Sequence, residues 1–189
     1  MYKIILASNS PRRQELLKGL DIEFTIKVLP DIDESYPEDM AKMDVAEYIA
    51  HKKSQAYQKH IADNELVITA DTMVICGEEI LGKPVDAADA ARMLHLLSGR
   101  THQVVTGVCL TTKNKQKKFS VITDVTFAPL TDEEIDFYIQ NYKPFDKAGA
   151  YGIQEWIGYV GVRELRGSYF NVMGFPVHRI YQELKNFDH

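Results

Sequence analysis

Tyr2-Lys3-Ile4-Ile5-Leu6-Ala7-Ser8-Asn9-Ser10-Pro11-Arg12-Arg13 reads as a strand that runs directly into a helix. The apolar run at residues 2–7 suits a buried strand. Ser10 is a good N-cap, and Pro11 fits the first helical position. Leu16, Leu17 and Leu20 then share one helical face, and the helix is expected to end near Gly19. Free backbone N–H groups and the positive end of the helix dipole fall where Arg12 and Arg13 project. That combination favours an anion, most naturally phosphate, and an arginine fork can hold two phosphate oxygens at once. The alternative is a solvated basic first turn, but cations are disfavoured at that end of a helix. Ser8, Ser10, Arg12 and Arg13 are therefore candidate phosphate contacts.

Outward from this stretch, helices alternate with strands. Glu23–Leu29 alternates like a half-buried strand, and residues 30–43 form an acidic, proline-containing loop. Asp44 is placed to cap a second helix with Glu47 completing a capping box, and Tyr48, Ile49 and Ala56 to face the core. Glu65–Ala70 is a strand that resumes at Met73–Cys76, and Gly77-Glu78-Glu79 turns back into Ile80-Leu81. Asp86–Leu97 is amphipathic and closes at Ser98-Gly99. Strands are expected near Gln103–Leu110 and Phe119–Phe127, with a solvated lysine-rich turn at Lys113–Lys118 between them. Thr131 and Glu134 cap a further helix. The tail reads as a strand pair around Trp156–Glu164 and a last helix from about Pro176. The fold class is mixed α/β, one elongated mixed sheet flanked by helices, in a single domain over 1–189.

Composition narrows the partners. With 189 residues, 45% hydrophobic and 26% charged, the chain can bury a proper core. A net charge of −5 argues against a general nucleic-acid binder. No apolar run reaches membrane-span length, and the start lacks the pattern of a signal peptide, so no membrane partner and a cytoplasmic location are expected. Cys76 and Cys109 read as buried free thiols, and the histidines have no zinc spacing. There is no G-x-x-x-x-G-K-[ST], G-x-G-x-x-G or G-x-S-x-G, which disfavours a P-loop NTPase, a dinucleotide fold and a serine hydrolase.

The polar residues that interrupt apolar runs carry the chemistry. Asp71 follows Leu66-Val67-Ile68-Thr69-Ala70, so a carboxylate is expected at the end of a buried strand, where α/β folds bind ligands. It can hold a hard cation or take a proton from water; the plain alternative is an ion pair or a turn contact. Glu34 lies in the acidic loop and gains meaning only beside Asp71. Lys53 follows His51 and Lys52, a cluster that alone reads as a solvated face. Lys83, in Leu81-Gly82-Lys83-Pro84, could reach a phosphate as a point charge. Gln154, after the small, polar run Lys147–Ile153, offers a donor and an acceptor to a base edge, or is a surface amide.

Six segments in order resemble the Maf family of nucleotide pyrophosphatases: residues 6–13, Ala70-Asp71-Thr72, Ile80–Pro84, Ser98–His102, Lys147–Gln154 and Gly167–Pro176. The resemblance covers nearly the whole chain. It implies a fold similar to inosine triphosphate pyrophosphatases, a long mixed sheet with a cleft between two lobes. It implies hydrolysis of a nucleoside triphosphate to the monophosphate and pyrophosphate, with a divalent metal (magnesium or manganese), for which the charge of Asp71 and Glu34 makes them the candidate ligands. Asp71 matches the proton acceptor, and Glu34, Lys53 and Lys83 match the other charged active-site positions. Arg12, Thr72 and Gln154 match positions tied to substrate choice. Thr72 and Gln154 resemble the dTTP/UTP branch rather than the 7-methyl-GTP branch. A homodimer is implied by analogy only, and a nucleotide-binding regulator of cell division is the non-catalytic alternative. Asn9 departs from the family's usual small residue, with little expected consequence because asparagine tolerates turn conformations.

Overall fold

Alternating apolar runs and well-capped helices build the sheet and its covering layers. The computed structural model describes residues 1–188. The strands are β1 (Lys3–Leu6), β2 (Phe24–Ile26), β3 (Glu65–Cys76), β4 (Glu79–Leu81), β5 (Thr101–Thr111), β6 (Gln116–Phe127) and β7 (Val162–Arg166). The helices are α1 (Pro11–Lys18), α2 (Lys42–Gln58), α3 (Ala87–Leu97), α4 (Asp132–Tyr142), α5 (Trp156–Gly161), α6 (Tyr169–Val172) and α7 (Val177–Lys185). The seven strands join in the order β2-β1-β3-β5-β6-β7, with β4 paired to β3. β1 is parallel to both β2 and β3, whereas β3–β4 and β6–β7 are antiparallel, so the sheet is mixed as expected.

The chain divides into two compact units. The first holds Met1–Thr72, Thr106–Val121 and the residues from Gly174 onward; the second holds Met73–Val105 and Ile122–Met173. In the first unit, alternate residues of β1 and β3 serve opposite faces, as the two-residue period of a strand requires. Leu6, Leu66, Ile68 and Ala70 pack with Leu17 of α1 and with Phe175, Val177 and Ile180 at α7. Ile5 and Val67 pack on the other side with Tyr57 of α2. In the second unit α3 packs against α4, and the rings of His102, Phe127 and Tyr151 meet edge to face.

Several expectations hold in detail. Ser10 caps α1 and accepts from the Arg13 N–H, Asp86 caps α3, and Thr131 caps α4. Both cysteines are buried free thiols. Others are corrected. The 23–29 strand shrinks to Phe24–Ile26, an edge piece whose Thr25 and Ile26 are exposed. The Asp44–Glu47 capping box does not form, because α2 already begins at Lys42 and Asp44 lies inside its first turn. Tyr48 and Ala56 are only half-buried; Val45, Ala46, Ile49, Ala50 and Tyr57 carry the packing. Gln116, Lys117 and Lys118 belong to β6, so the lysine-rich turn is shorter than expected. Trp156–Gly161 is helix, and only Val162–Arg166 is strand, pairing with β6. Most consequential, Glu65–Cys76 is one unbroken strand, so Asp71 lies within β3 and not at its end.

Candidate active site

β1 pairs on one side with β2, which follows it through α1, and on the other with β3, which comes later. The connection after β1 leads to β2 on one side, whereas the chain after β3 goes on to β5 on the other, so the two diverge beside the carboxyl end of β1. Such a switch point is where open α/β sheets leave a ligand crevice. The Ser8–Ser10 turn sits at this point, tied by Ser10 N–H to Ser8 Oγ (3.1 Å) and by Gln14 Nε2 to the Ser8 carbonyl (3.0 Å). The β1–β3 ladder ends at the Leu6–Ile68 pair and the β3–β4 ladder begins at Val74. Residues 69–73 therefore lie outside both ladders, and Asp71 is three positions past the last β1 pair. Asp71 is therefore not at the end of its own strand, as expected, but inside β3 beside the end of β1.

Strand alternation then sends neighbouring side chains to different helices. Thr69 Oγ1 donates to the Ala50 carbonyl of α2 at 2.7 Å. Asp71, two residues on, faces the same helix, where Lys53 lies three positions after Ala50 and shares its face. Lys53 Nζ is 3.0 Å from Asp71 Oδ1 and 3.0 Å from Glu34 Oε1. It also donates to the Ala70 carbonyl at 3.3 Å. One ammonium therefore joins the acidic loop to β3. Asp71 and Lys53 are largely shielded, at 13% and 15% side-chain exposure, while Glu34 remains 58% exposed.

Ala70 and Thr72 face α1. Arg13 donates through Nη1 to the Ala70 carbonyl (3.3 Å), through Nη2 to Thr72 Oγ1 (3.0 Å) and through Nε to the Gly174 carbonyl (2.9 Å). Burial pulls the Arg13 pKa down, and the Asp71 carboxylate opposes that. The cation that the helix dipole disfavours is thus compensated within the protein itself. Burial pushes the Asp71 pKa up; Lys53 and Arg13 pull against it, and Glu34 adds to it. Asp71 Oδ2 is buried with no hydrogen-bond partner. A shielded carboxylate with a raised pKa and an open lone pair is suited to accept a proton.

Asp71 Oδ2 and the exposed Glu34 carboxylate are hard oxygen donors that fit a divalent cation taking its other ligands from water and phosphate. Among the described residues no three His, Cys, Asp or Glu side chains gather as a larger metal site. Ser8, Ser10, Arg12, Arg13, Glu34, Lys53, Asp71 and Thr72 all belong to the first unit. Lys83 and Gln154 belong to the second, where both are exposed.

Sequence reasoning missed Thr106 and Gly107, and it quoted Gly174 only within a family segment, without its role toward Arg13. A Cβ on Gly107 would lie 2.3 Å from Glu47 Cα and N, so only glycine lets α2, which carries Lys53, approach β5 this closely. Thr106 meets Thr72 Oγ1 at 2.9 Å. Gly174 presents its carbonyl to Arg13 from a backbone at φ +107°. The adjacent Thr106-Gly107, interrupting an otherwise apolar strand run, was the available signal.

The Maf-like protein family matches residues 3–187. The chain belongs to the Maf family. A Parabacteroides distasonis protein named dTTP/UTP pyrophosphatase is 57% identical over 186 residues, covering 98% of this chain and 96% of that protein. A Phocaeicola vulgatus protein of the same name is 59% identical over 184 residues, covering 97% of this chain and 95% of that protein. Two solved structures share the fold of this Maf chain. A HAM1 protein from Coxiella burnetii gives a TM-score of 0.51 at 17% identity, covering 98% of this chain and all of that one. The Staphylococcus aureus Ham1 protein gives 0.52 at 18%, covering 99% of this chain and all of that one. No helix among the described residues of the Maf chain is long and apolar enough to cross a membrane.

Proposed function

We propose that this Maf chain hydrolyses dTTP and UTP to the monophosphate and pyrophosphate. The observation that carries the reading is the buried Asp71, with one open oxygen, beside Lys53 and Arg13 at the switch point. Relatives at 57% and 59% identity bearing the dTTP/UTP name support the choice of substrate. The family match over 3–187, which runs through both units, supports reading the chain as one Maf-like domain.

The phosphates approach the start of α1, with Ser8, Ser10, Arg12 and Arg13 as their contacts. Water attacks the α-phosphorus. Its oxygen forms the new P–O bond, the bridge to the β-phosphate breaks, and Asp71 Oδ2 receives the proton. Lys53, Lys83 and Arg13 stabilise the charge that develops on the departing pyrophosphate. Glu34 would hold a magnesium or manganese ion, with Asp71 as its second ligand only in the alternative where Asp71 is not the proton acceptor; when bound, the ion would neutralise phosphate oxygens and lower the pKa of coordinated water. Lys53, already joined to both carboxylates, holds them on one side of the site. Arg12, Thr72 and Gln154 bear on substrate choice. A cytoplasmic location and a homodimer complete the proposal.

Pyrophosphate release from dTTP, UTP and 7-methyl-GTP tests it, with magnesium or manganese and again with a chelator. Release from the first two, abolished by chelator, is the expected result. Release from 7-methyl-GTP alone would move the chain to the other branch, and release from none would leave the regulator reading.

A further inference from the structure

Thr72 has a hydroxyl with one proton and two lone pairs, so three hydrogen bonds exhaust it. The structure supplies three partners. Arg13 Nη2, at 3.0 Å, can only donate, and the Gly174 carbonyl, at 3.3 Å, can only accept. The Thr106 hydroxyl, at 2.9 Å, can do either. Since the Thr72 proton goes to Gly174, Thr106 must donate to Thr72. The Gly174 carbonyl also takes Arg13 Nε at 2.9 Å, which closes a ring of contacts around the guanidinium. Gly174 holds this carbonyl in place at φ +107°, a conformation L side chains rarely adopt, and a Cβ there would lie 3.5 Å from Thr72 Oγ1.

We propose that Thr106 is a positioning residue for Arg13, acting through a Thr72 hydroxyl that has no hydrogen bond left to offer a nucleobase. Thr72 then influences substrate choice through the placement of Arg13. The inference deepens the pyrophosphatase reading and rests on it for the kinetic consequence, but the geometry it asserts does not need turnover. Thr106 is fully buried on β5, so it acts on the substrate through other residues and not by direct contact.

The test uses the full chain with Thr106→Val, which keeps shape and removes the donor, and Thr106→Ser, which restores it. The first readout is solvent exchange of the Arg13 side-chain Nε–H by NMR, the resonance identified by its loss in Arg13→Lys. Exchange should be about tenfold faster in Thr106→Val and return in Thr106→Ser. The second is pyrophosphate release from dTTP. Loss of arginine placement should lower kcat about tenfold with KM within about threefold, and serine should recover it. An unchanged Arg13 exchange rate in Thr106→Val overturns the inference, as does a kcat loss that serine leaves uncorrected. A wild-type chain that releases no pyrophosphate removes the functional reading, and the exchange result then decides on Thr106 alone. If the valine variant melts below the assay temperature, Thr106→Ala is read the same way.

Discussion

Asp71 and His102 are both buried titratable groups, and each has one polar atom without a hydrogen-bond partner: Asp71 Oδ2 and His102 Nδ1. Burial shifts both pKa values toward the neutral form, upward for Asp71 and downward to about 4 for His102. Their surroundings differ. Asp71 stands beside Lys53, Arg13 and Glu34 at the carboxyl end of β1. His102 is fully enclosed, bonded through Nε2 to Tyr151 Oη at 2.6 Å and packed edge-on against Phe127. A perturbed pKa and an open atom are therefore insufficient to mark a site; charged partners at a ligand-binding place are what separate chemistry from core.

Exchanging the roles gives the sharpest test. Asp71→Asn should lower kcat more than about 10³-fold, because the carboxylate that takes the proton, or in the alternative helps hold the cation, is lost. It should cost no stability at neutral pH. A raised native pKa means the native state favours the protonated, neutral acid, so wild type gains stability as pH falls toward the ordinary carboxylate range. Asparagine mimics that neutral form throughout, and its advantage in denaturant titrations should narrow on acidification. Normal turnover by the folded variant would collapse the contrast with His102.

His102 should show the opposite pattern. Its native pKa of about 4 lies below its ordinary 6.5, so the unfolded chain binds the proton first. Stability is fully present above that ordinary value and should fall by about 3 kcal/mol as pH drops to 4, at 1.36 kcal/mol per unit. His102→Gln should flatten this slope in urea titrations between pH 7 and pH 4 and leave neutral-pH turnover within about threefold. A steep loss of turnover would place His102 with Asp71 after all.

Gly107→Ala separates position from identity, because it forces α2 and Lys53 away from β5 without altering either titratable group. The clash at 2.3 Å with Glu47 backbone should cost about 2 kcal/mol in denaturant midpoint analysis and lower turnover as well. Unchanged stability would mean that α2 can shift freely and that its close approach does not position Lys53. The smallest effect is expected for Ser10→Ala, which removes the bond to the Arg13 N–H and should cost about 1 kcal/mol. Its turnover should fall less than that of Asp71→Asn, since the cap orders the start of α1 while the acid takes the proton.

Local chemistry made much of this molecule legible in advance. Ser10-Pro11, Asp86 and Thr131 act on the next three or four residues, so the starts of α1, α3 and α4 could be read directly. The Gly77–Glu79 turn into β4 was equally local. Trp156–Gly161 was misread because an apolar run of six residues does not distinguish helix from strand without its packing partners. The break expected at Asp71-Thr72 was also absent. Polar residues interrupt a buried strand only when nothing satisfies them, and here Lys53, Arg13 and Thr106 do.

The linear order of residues determined which groups were available: a capped helix start bearing two arginines, an acid in an apolar run, a threonine and a glycine in another. Tertiary structure alone decided their partners. Strand alternation turned Asp71 toward α2 and Thr72 toward α1. The glycine at 107 let the helix bearing Lys53 come near, and the Gly174 carbonyl completed the arginine's contacts. Hydrogen bonds and ion pairs act over a few ångströms of space, whereas Arg13 and Gly174 are separated by 161 positions of chain, a distance that only the folded sheet removes.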